Sequence, residues 1–148
     1  MGNSWRTSPD ISKAWQSVLF NLDSVIGLSM HAGPGGWNDP DMLQVGNSAD
    51  LLHHGRERIH FGLWALLKAP LLIGADLRSI SRKSLALLKS PGVVAIHQDP
   101  MAVAGDLLAT HGLLQVRLAL RVASQATLRR PHWASSSACA SGSSDAQV

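Results

Sequence analysis

GPGGWNDPDMLQVGN, residues Gly33–Asn47, is the stretch of this chain that most strongly constrains its fold. Its four glycines and two prolines mark turns that a helix cannot cross. Four apolar side chains indicate that the stretch is nonetheless partly buried: Trp37, Met42, Leu43 and Val45. A carboxylate beside buried apolar groups is costly unless it is paired or used. The carboxylates of Asp39 and Asp41 therefore indicate either a tightly built turn or the edge of an active site.

Composition and length are typical of one ordinary globular domain, with 148 residues, 45% hydrophobic and 16% charged. The apolar runs LLIGADL and GVVAI are too short to cross a bilayer, so no membrane association is expected. Met1 leads directly into polar sequence, so no signal peptide is expected either. The net charge of +3 comes without a dense Lys/Arg block, which argues against nucleic acid as a partner. The single Cys139 excludes an intramolecular disulfide.

The residues before the glycine-rich stretch predict an amphipathic helix. Ser8 is its expected N-cap, and Pro9 takes the first helical position. Apolar residues then recur at helical spacing over about four turns: Ile11, Ala14, Trp15, Val18, Leu19, Leu22, Val25 and Ile26. One face of this helix is therefore expected to be buried.

A second helix is predicted over residues 51–68, stopped by Pro70. Its expected buried face is formed by six apolar residues: Leu52, Ile59, Leu63, Trp64, Leu66 and Leu67. A third helix is predicted from a cap at Ser81 to Lys89.

Two short apolar runs lie near the second and third helices. Leu71–Ile73 shows no alternation, which suits a strand covered on both faces, and Val93–Ile96 is also predicted to be buried. Residues 106–148 are treated as a second unit, in which Leu107–Leu120 is compatible with one or two strands. The chain from Ala123 onwards has low complexity and is predicted to be disordered.

The order of strand, polar turn and helix recurs along residues 1–105, which predicts an α/β fold with parallel strands. The three predicted strand ends read WRTSPD, WNDPDM and IGADLR, and each has an acidic residue just past the extended run. In parallel α/β folds the ligand site lies at the carboxyl ends of the strands. Asp10, Asp41 and Asp76 are therefore predicted to share one rim.

The pair formed by Arg6 and Asp10 has two interpretations. Asp10 is a candidate general acid/base, with Arg6 holding substrate hydroxyls. Alternatively, Asp10 is a helix-start carboxylate with an i,i+4 ion pair worth about 0.3–0.5 kcal/mol. The pattern alone favours the second interpretation.

Metal sites and cofactors find little support in the sequence. Asp39 and Asp41 lie two residues apart, but no further oxygen ligands follow at EF-hand spacing, and one of the two can instead cap the turn. The histidines at positions 53, 54 and 60 form no HExxH motif and are interpreted as solvated or at the edge of the core. The tryptophans at positions 5, 37 and 64 are most simply core residues, although Trp5 and Trp37 at strand ends also suit a sugar-stacking wall.

Four long motifs in order carry a resemblance to a known family: GNSWRTSPDI (Gly2–Ile11), GPGGWNDPDMLQVGN, HFGLWALLKAPLLIGADLRSIS (His60–Ser81) and VVAIHQDP (Val93–Pro100). The chain resembles the α-galactosidases, or melibiases, of the glycoside hydrolase family 27 type, and plant and algal members look most similar. Those enzymes are retaining glycosidases with a (β/α)8 barrel followed by an antiparallel β domain. The resemblance implies that residues 1–105 are the C-terminal part of the barrel, with strands six to eight and their helices. Residues 106–148 would be a remnant of the β domain and a tail.

The resemblance also implies roles for single residues. Asp10 matches the acid/base carboxylate, and Arg6 matches an arginine that contacts the sugar. Asp41 and Met42 match positions that line the galactose pocket, and Trp5 is added as a substrate-binding residue. The expected partners are α-galactoside sugars, and no cofactor is expected.

The resemblance implies hydrolysis of terminal α-D-galactosyl residues by two carboxylates. The family's nucleophile lies in a strand-four motif of the YDNC kind that these 148 residues lack. The chain is therefore expected to be a truncated and inactive fragment. Two alternatives stay open, a non-catalytic fragment that binds galactose or a protein partner, and a fragment derived from an α-N-acetylgalactosaminidase. The family is usually secreted, vacuolar or lysosomal, and the location of this chain is left unknown.

Overall fold

The computed structural model describes residues 2–47, 55–111 and 114–118. The architecture is α/β, with short strands and helices in chain order. The elements are β1 (Ser4–Arg6), α1 (Trp15–Asp23), a 3-10 helix (Ser29–His31), β2 (Trp37–Asp39), α2 (Arg56–Leu67), α3 (Arg82–Leu88), α4 (Pro91–His97), β3 (Asp106–His111) and β4 (Leu114–Leu118). No helix in the described ranges is long and apolar enough to cross a membrane.

The glycine-rich stretch lies between two neighbouring chain segments. Its strand β2 pairs with β1 in parallel, with Ser4 opposite Trp37. Further along, Leu43 forms a parallel bridge with Ile73, in which Leu43 N donates to Leu72 O at 2.7 Å. The parallel arrangement predicted from the three strand ends is therefore present, although the third segment contributes one bridge and not a full strand.

The hydrophobic core joins α1, the glycine-rich stretch and α2. Its buried members are Ile11, Val18, Leu22, Val25, Leu43, Val45, Phe61, Trp64, Leu67 and Ala69. Four members of the predicted apolar stripe are buried (Ile11, Val18, Leu22 and Val25) and Trp15 is half-buried, whereas Ala14, Leu19 and Ile26 are exposed. Burial of this stripe is the main contribution that the α1 sequence makes to stability.

Helix α1 begins at Trp15, so the predicted start at Pro9 is wrong. Residues 8–14 form a loop, and the residue before the helix, Ala14, makes no side-chain cap. The cause is a tertiary contact, because Ile11 N donates to a carboxylate oxygen of Asp41 at 2.7 Å. A backbone donor engaged across the fold overrides the local start signal of Ser8 and Pro9.

Helix α2 ends as predicted, at Lys68 in a left-handed conformation (φ 58°). Residues 51–54, including Leu52, lie outside the described residues, and the described helix begins at Arg56. The predicted buried face is rotated, because Ile59 is 47% exposed while Glu57 and His60 are buried. These two polar side chains turn inward to bind backbone groups of the glycine-rich stretch, which a hydrophobic pattern does not reveal.

Helix α3 confirms the cap predicted at Ser81, whose Oγ accepts from Ser84 N at 3.0 Å. The predictions for the two apolar runs are wrong. Val93–Ile96 lies in helix α4, whose first residue Pro91 pre-sets a helical φ, and its Val94 and Ile96 are exposed. Leu72 is 62% exposed, because no described strand covers the outer side of Leu71–Ile73.

Strands β3 and β4 form an antiparallel hairpin, which confirms the strands predicted in this region as far as Leu118. Asp106 at its start accepts hydrogen bonds from Gly27 N at 3.1 Å and Ser29 Oγ at 2.6 Å. The bond from Ser29 is the main cause that lowers the pKa of Asp106. Residues 119 and 120 and the low-complexity tail lie outside the described residues, and the division at residue 105 stays a prediction.

Candidate active site

Arg6 connects two carboxylates at the carboxyl ends of β1 and β2. Its Nη2 lies 3.2 Å from Asp10 Oδ1 and 3.0 Å from Asp41 Oδ2. Two of the three aspartates predicted to share a rim are therefore brought together through one guanidinium group. The polar contacts of Asp76 go instead to its neighbours Arg78 and Ser79. The hydrogen bonds from Arg78 lower the pKa of Asp76.

The two carboxylates differ in exposure. The side chain of Asp10 is 99% exposed, and its carboxylate has the one described bond to Arg6. The side chain of Asp41 is only 14% exposed, and its oxygens accept from Met42 N and Ile11 N, both at 2.7 Å. The carboxylate of Asp10 is thus open to solvent, whereas that of Asp41 is engaged in holding the backbone.

Asp41 has a backbone conformation that non-glycine residues rarely adopt, with φ at 83°. Its N–H donates to Asp39 Oδ1 at 2.9 Å. Asp39 therefore caps the turn, which is one of the two interpretations that the sequence left open for this pair of aspartates. Its carbonyl oxygen accepts from Trp64 Nε1 at 2.7 Å. Strained residues held in this way concentrate at functional sites.

Helix α2 holds the glycine-rich stretch through side chains on three successive turns. Each binds one backbone group of the stretch: Glu57 accepts from Gly46 N at 2.6 Å, His60 Nε2 accepts from Gln44 N at 3.0 Å, and Trp64 donates to Asp41 O. The ring of His60 packs edge-on against that of Trp64, with centroids 4.1 Å apart. Burial lowers the pKa of His60 to about 3, so its imidazole is a neutral acceptor.

The histidine and tryptophan predictions are only partly right. His60 lies fully inside the core and not at its edge, and Trp64 is a core residue as predicted. Trp5 is 43% exposed and therefore not a core residue; its Nε1 donates to Asn38 Oδ1 at 2.9 Å. Positions 53 and 54 lie outside the described residues.

The two remaining predicted site residues are Trp5, which precedes Arg6 in the chain, and Met42, which follows Asp41. Trp5 lines a cavity of about 510 Å³ with Arg6 and Thr7, to which Asp10 and Asp41 do not contribute. Met42 packs against the hydrophobic core. Among the described residues, no three His, Cys, Asp or Glu side chains are grouped closely enough to hold a metal ion.

Two polar residues near Asp10 were missed by the sequence analysis. Asn21 and Gln44 are both buried, and both donate to backbone carbonyls beside the aspartates. A signal for Asn21 existed, because it lies at helical spacing between Val18 and Val25 on the apolar face of α1. A polar residue on a buried face requires hydrogen-bond partners, and here those partners are in the site.

The family model described as Alpha galactosidase A, Melibiase_2, matches residues 1–99. The chain belongs to this α-galactosidase family. It is 46% identical over 116 residues to an alpha-galactosidase of Oryza sativa, covering 78% of this chain and 27% of that protein. It is 44% identical over 112 residues to alpha-galactosidase 3 of Arabidopsis thaliana, covering 76% and 25%. An alpha-N-acetylgalactosaminidase of Mus musculus is 43% identical over 107 residues, covering 70% and 25%.

Solved structures of α-galactosidases have a similar fold. A Saccharomyces cerevisiae α-galactosidase aligns with a TM-score of 0.67 at 29% identity, covering 71% of this chain and 28% of that one. In a structure with raffinose, that α-galactosidase aligns with a TM-score of 0.60 at 30% identity over the same shares. Alpha-galactosidase I of Mortierella vinacea aligns with a TM-score of 0.67 at 26% identity, covering 78% and 34%. This α-galactosidase family member spans about a quarter of the length of the curated relatives it matches.

Proposed function

We propose that this chain carries the acid/base side of an α-galactosidase active site, which hydrolyses terminal α-D-galactosyl residues. The observation that carries the proposal is the convergence of Asp10 and Asp41 on Arg6 at the carboxyl ends of two parallel strands. In parallel α/β enzymes this edge is where substrates bind. Membership of the family supports the reaction class, and the contacts of Arg6 with Asp10 and Asp41 support the choice of residues.

The parallel segments correspond, in this proposal, to strands six to eight of a (β/α)8 barrel. Strands β1 and β2 would be six and seven, and the segment around Ile73 would be eight. The parallel pairing of β1 with β2 and the bridge from Leu43 to Ile73 support this order. Such a barrel comprises about 250 residues, so the other strands would come from chain beyond these residues.

The proposed role of Asp10 is proton transfer in both steps of a retaining reaction. Its carboxyl group protonates the leaving glycosidic oxygen, and its carboxylate then takes a proton from the attacking water. Its exposure suits this role, because the carboxylate can reach a bound sugar without breaking a buried contact. The guanidinium of Arg6 would also donate to sugar hydroxyls, with Trp5, Asp41 and Met42 as further substrate-binding residues.

In this family the second carboxylate of such a reaction lies in a strand-four motif of the YDNC kind, which these 148 residues lack. We therefore propose that the 148-residue chain alone does not turn over α-galactosides. An aryl α-galactoside assay on the purified chain checks this directly, and hydrolysis abolished by Asp10→Asn would overturn it. Calorimetry with galactose separates an inert chain from a galactose-binding module, for which heat at millimolar sugar is required.

A hybrid enzyme tests the role of Asp10. Residues 2–99 of this chain would replace the matching segment of the Oryza sativa relative, so that the host supplies the rest of the site. We expect this hybrid to hydrolyse 4-nitrophenyl α-galactoside, and Asp10→Asn to lower kcat/KM for methyl α-galactoside by at least about 100-fold. Ser12→Ala, an exposed neighbour, is the control. Undiminished hydrolysis by the Asp10→Asn hybrid would overturn the assignment.

The similarity to the Mus musculus alpha-N-acetylgalactosaminidase favours a second candidate substrate, the terminal N-acetylgalactosaminyl group. We propose that residues 2–99 do not select between the two sugars, because relatives of both names match this chain at similar identity, 43–46% over 107–116 residues. Hybrids on the rice and mouse hosts should then each keep the preference of the host. Two hybrids that prefer the same sugar would show that this segment selects it.

A further inference from the structure

Asp10 lies between two residues whose backbone groups are held by buried side chains. Before it, Pro9 O accepts from Asn21 Nδ2 at 3.2 Å. After it, Ile11 N donates to Asp41 Oδ2 at 2.7 Å, and Ile11 O accepts from Gln44 Nε2 at 3.3 Å. The backbone on both sides of Asp10 is thus fixed to other parts of the chain.

Asn21 also connects the loop of Asp10 with the loop of Asp41. Its Nδ2 donates a second hydrogen bond, to Pro40 O, at 2.9 Å. Because both partners are carbonyl oxygens, only a group with two N–H bonds at this position can serve them together. One buried amide on α1 therefore sets the distance between the residues that precede the two aspartates.

The oxygen of the Asn21 amide, Oδ1, indicates that the two hydrogen bonds donated by Nδ2 are the reason for an amide at this position. Asn21 Oδ1 is buried and has no hydrogen-bond partner among the described residues. A buried acceptor without a partner is unfavourable, so an apolar residue would be expected on this face of α1 unless the two donated bonds were needed.

The side chain of Asp10 has no packing that could hold it in place, since it is 99% exposed and bonded only to Arg6 among its described contacts. Its position relative to Arg6 and Asp41 then depends on the backbone of Pro9 and Ile11. General acid catalysis is sensitive to this, because the proton donor must lie within hydrogen-bond reach of the leaving oxygen.

We infer that Asn21 and Gln44 are positioning residues for the acid/base carboxylate of Asp10, acting through the backbone carbonyls of Pro9, Pro40 and Ile11. The inference rests on the proposed function of Asp10 in α-galactoside hydrolysis. It assigns no contact with substrate to either amide.

A comparison of substrates with different leaving groups tests the inference, because a purely structural role would not change the ratio of their kcat/KM values. Methyl α-galactoside has a poor leaving group, so its hydrolysis depends on protonation of the leaving oxygen. 4-Nitrophenyl α-galactoside has a good leaving group, so its hydrolysis needs little protonation. In the hybrid enzyme, Asn21→Leu is expected to lower kcat/KM about tenfold for the methyl substrate and at most about twofold for the nitrophenyl substrate. Gln44→Met, a volume-conserving change, is expected to shift the ratio in the same direction.

Gln16→Leu is the matched control, because it places the same residue on an exposed position of α1 and should leave the ratio unchanged. Equal losses on both substrates for Asn21→Leu and Gln44→Met would overturn the inference, since a reduced amount of folded enzyme lowers both equally. If Asp10→Asn leaves hydrolysis of methyl α-galactoside intact, the proposed function of Asp10 is wrong, and that result is distinct from a failure of the positioning role alone.

A second measurement uses the 148-residue chain and does not depend on activity. Native-state hydrogen exchange at Ile11 N–H reports whether this backbone is held. Asn21→Leu is expected to accelerate its exchange about tenfold relative to buried amides of α2, whereas Gln16→Leu is not. Unchanged exchange at Ile11 in the Asn21→Leu variant would contradict the positioning role even if that variant lost activity.

Discussion

Trp64 donates a hydrogen bond from Nε1 to the carbonyl oxygen of Asp41 at 2.7 Å. The indole is fully buried, and the residue that it binds has a φ of 83°. A conformation of this kind persists only where the surroundings impose it. This bond therefore joins the core of the molecule directly to the candidate site, and helix α2 supports the site as well as the fold.

Replacing this donor should destabilise the chain more than its lost volume explains. Trp64→Phe keeps an aromatic ring but leaves Asp41 O without its partner, for an expected loss of about 1–3 kcal/mol in the free energy of unfolding. Trp5→Phe is the control, because its indole donates to Asn38 from a residue that is 43% exposed. Urea unfolding of both variants at pH 7 measures the difference. Equal losses would show that the buried bond has no special weight.

The two aspartates at Arg6 should differ in how much the same substitution destabilises the chain. Asp41→Asn replaces one of two accepting oxygens by a donor, so either Ile11 N or Met42 N loses its partner, at about 1–3 kcal/mol. Asp10→Asn changes a side chain that is almost wholly in solvent and should leave the unfolding midpoint unchanged. Chemical denaturation of both variants checks this. A destabilised Asp10→Asn variant would mean that its carboxylate holds the loop.

The sequence predicted those parts of the fold that depend on contacts between residues close in the chain or on a clear pattern of residue types. The parallel order of the strand ends and the cap at Ser81 were both predicted, because glycine, proline and capping residues act locally. The start of α1 was missed because Ile11 N binds Asp41, thirty residues away. The buried face of α2 was misplaced because Glu57 and His60 are polar, and hydrophobic periodicity assigns polar residues to solvent.

The candidate site was predicted to a similar extent. Placing carboxylates after parallel strands anticipated that Asp10 and Asp41 approach each other, and the resemblance ranked Asp10 first. Neither argument revealed that Asp41 binds backbone groups while Asp10 is exposed. That difference arises from the positive φ of Asp41 and from the amides of Asn21 and Gln44, whose hydrogen-bond partners lie far away in the chain.

Two glycines should respond with opposite signs to replacement by alanine. A Cβ at Gly74 would lie 2.8 Å from Leu43 O and 2.8 Å from Met42 Sδ, at the bridge beside the glycine-rich stretch. Because the Leu43 backbone is hydrogen-bonded there and cannot withdraw, Gly74→Ala is expected to cost about 1–3 kcal/mol. Gly62→Ala within α2 has open space and should stabilise the chain by about 0.5–1 kcal/mol. Thermal unfolding of the two variants decides; a harmless Gly74→Ala would contradict the close approach.

Acidification should unfold the chain through His60 before most carboxylates titrate. Its pKa is lowered by burial to about 3 in the folded state, against an ordinary value of 6.5 in the unfolded chain. The unfolded state therefore binds a proton that the folded state rejects, so the stabilisation is complete above pH 6.5 and declines as the pH falls towards 3. The expected slope is about 1.4 kcal/mol per pH unit within that window.

The contribution of His60 is isolated by comparing the chain with its His60→Gln variant. Glutamine keeps an oxygen that can accept from Gln44 N and removes the titration. His97 also has a pKa lowered by burial, and Asp76 and Asp106 have pKa values lowered by hydrogen bonds, so the wild-type profile alone mixes several groups. Both profiles are measured by urea unfolding between pH 7 and pH 4. The free energy of unfolding of the His60→Gln variant should fall less steeply with falling pH, by the amount that corresponds to one proton taken up on unfolding. Parallel profiles would show that His60 binds protons equally in the folded and unfolded chain, so that burial does not lower its pKa.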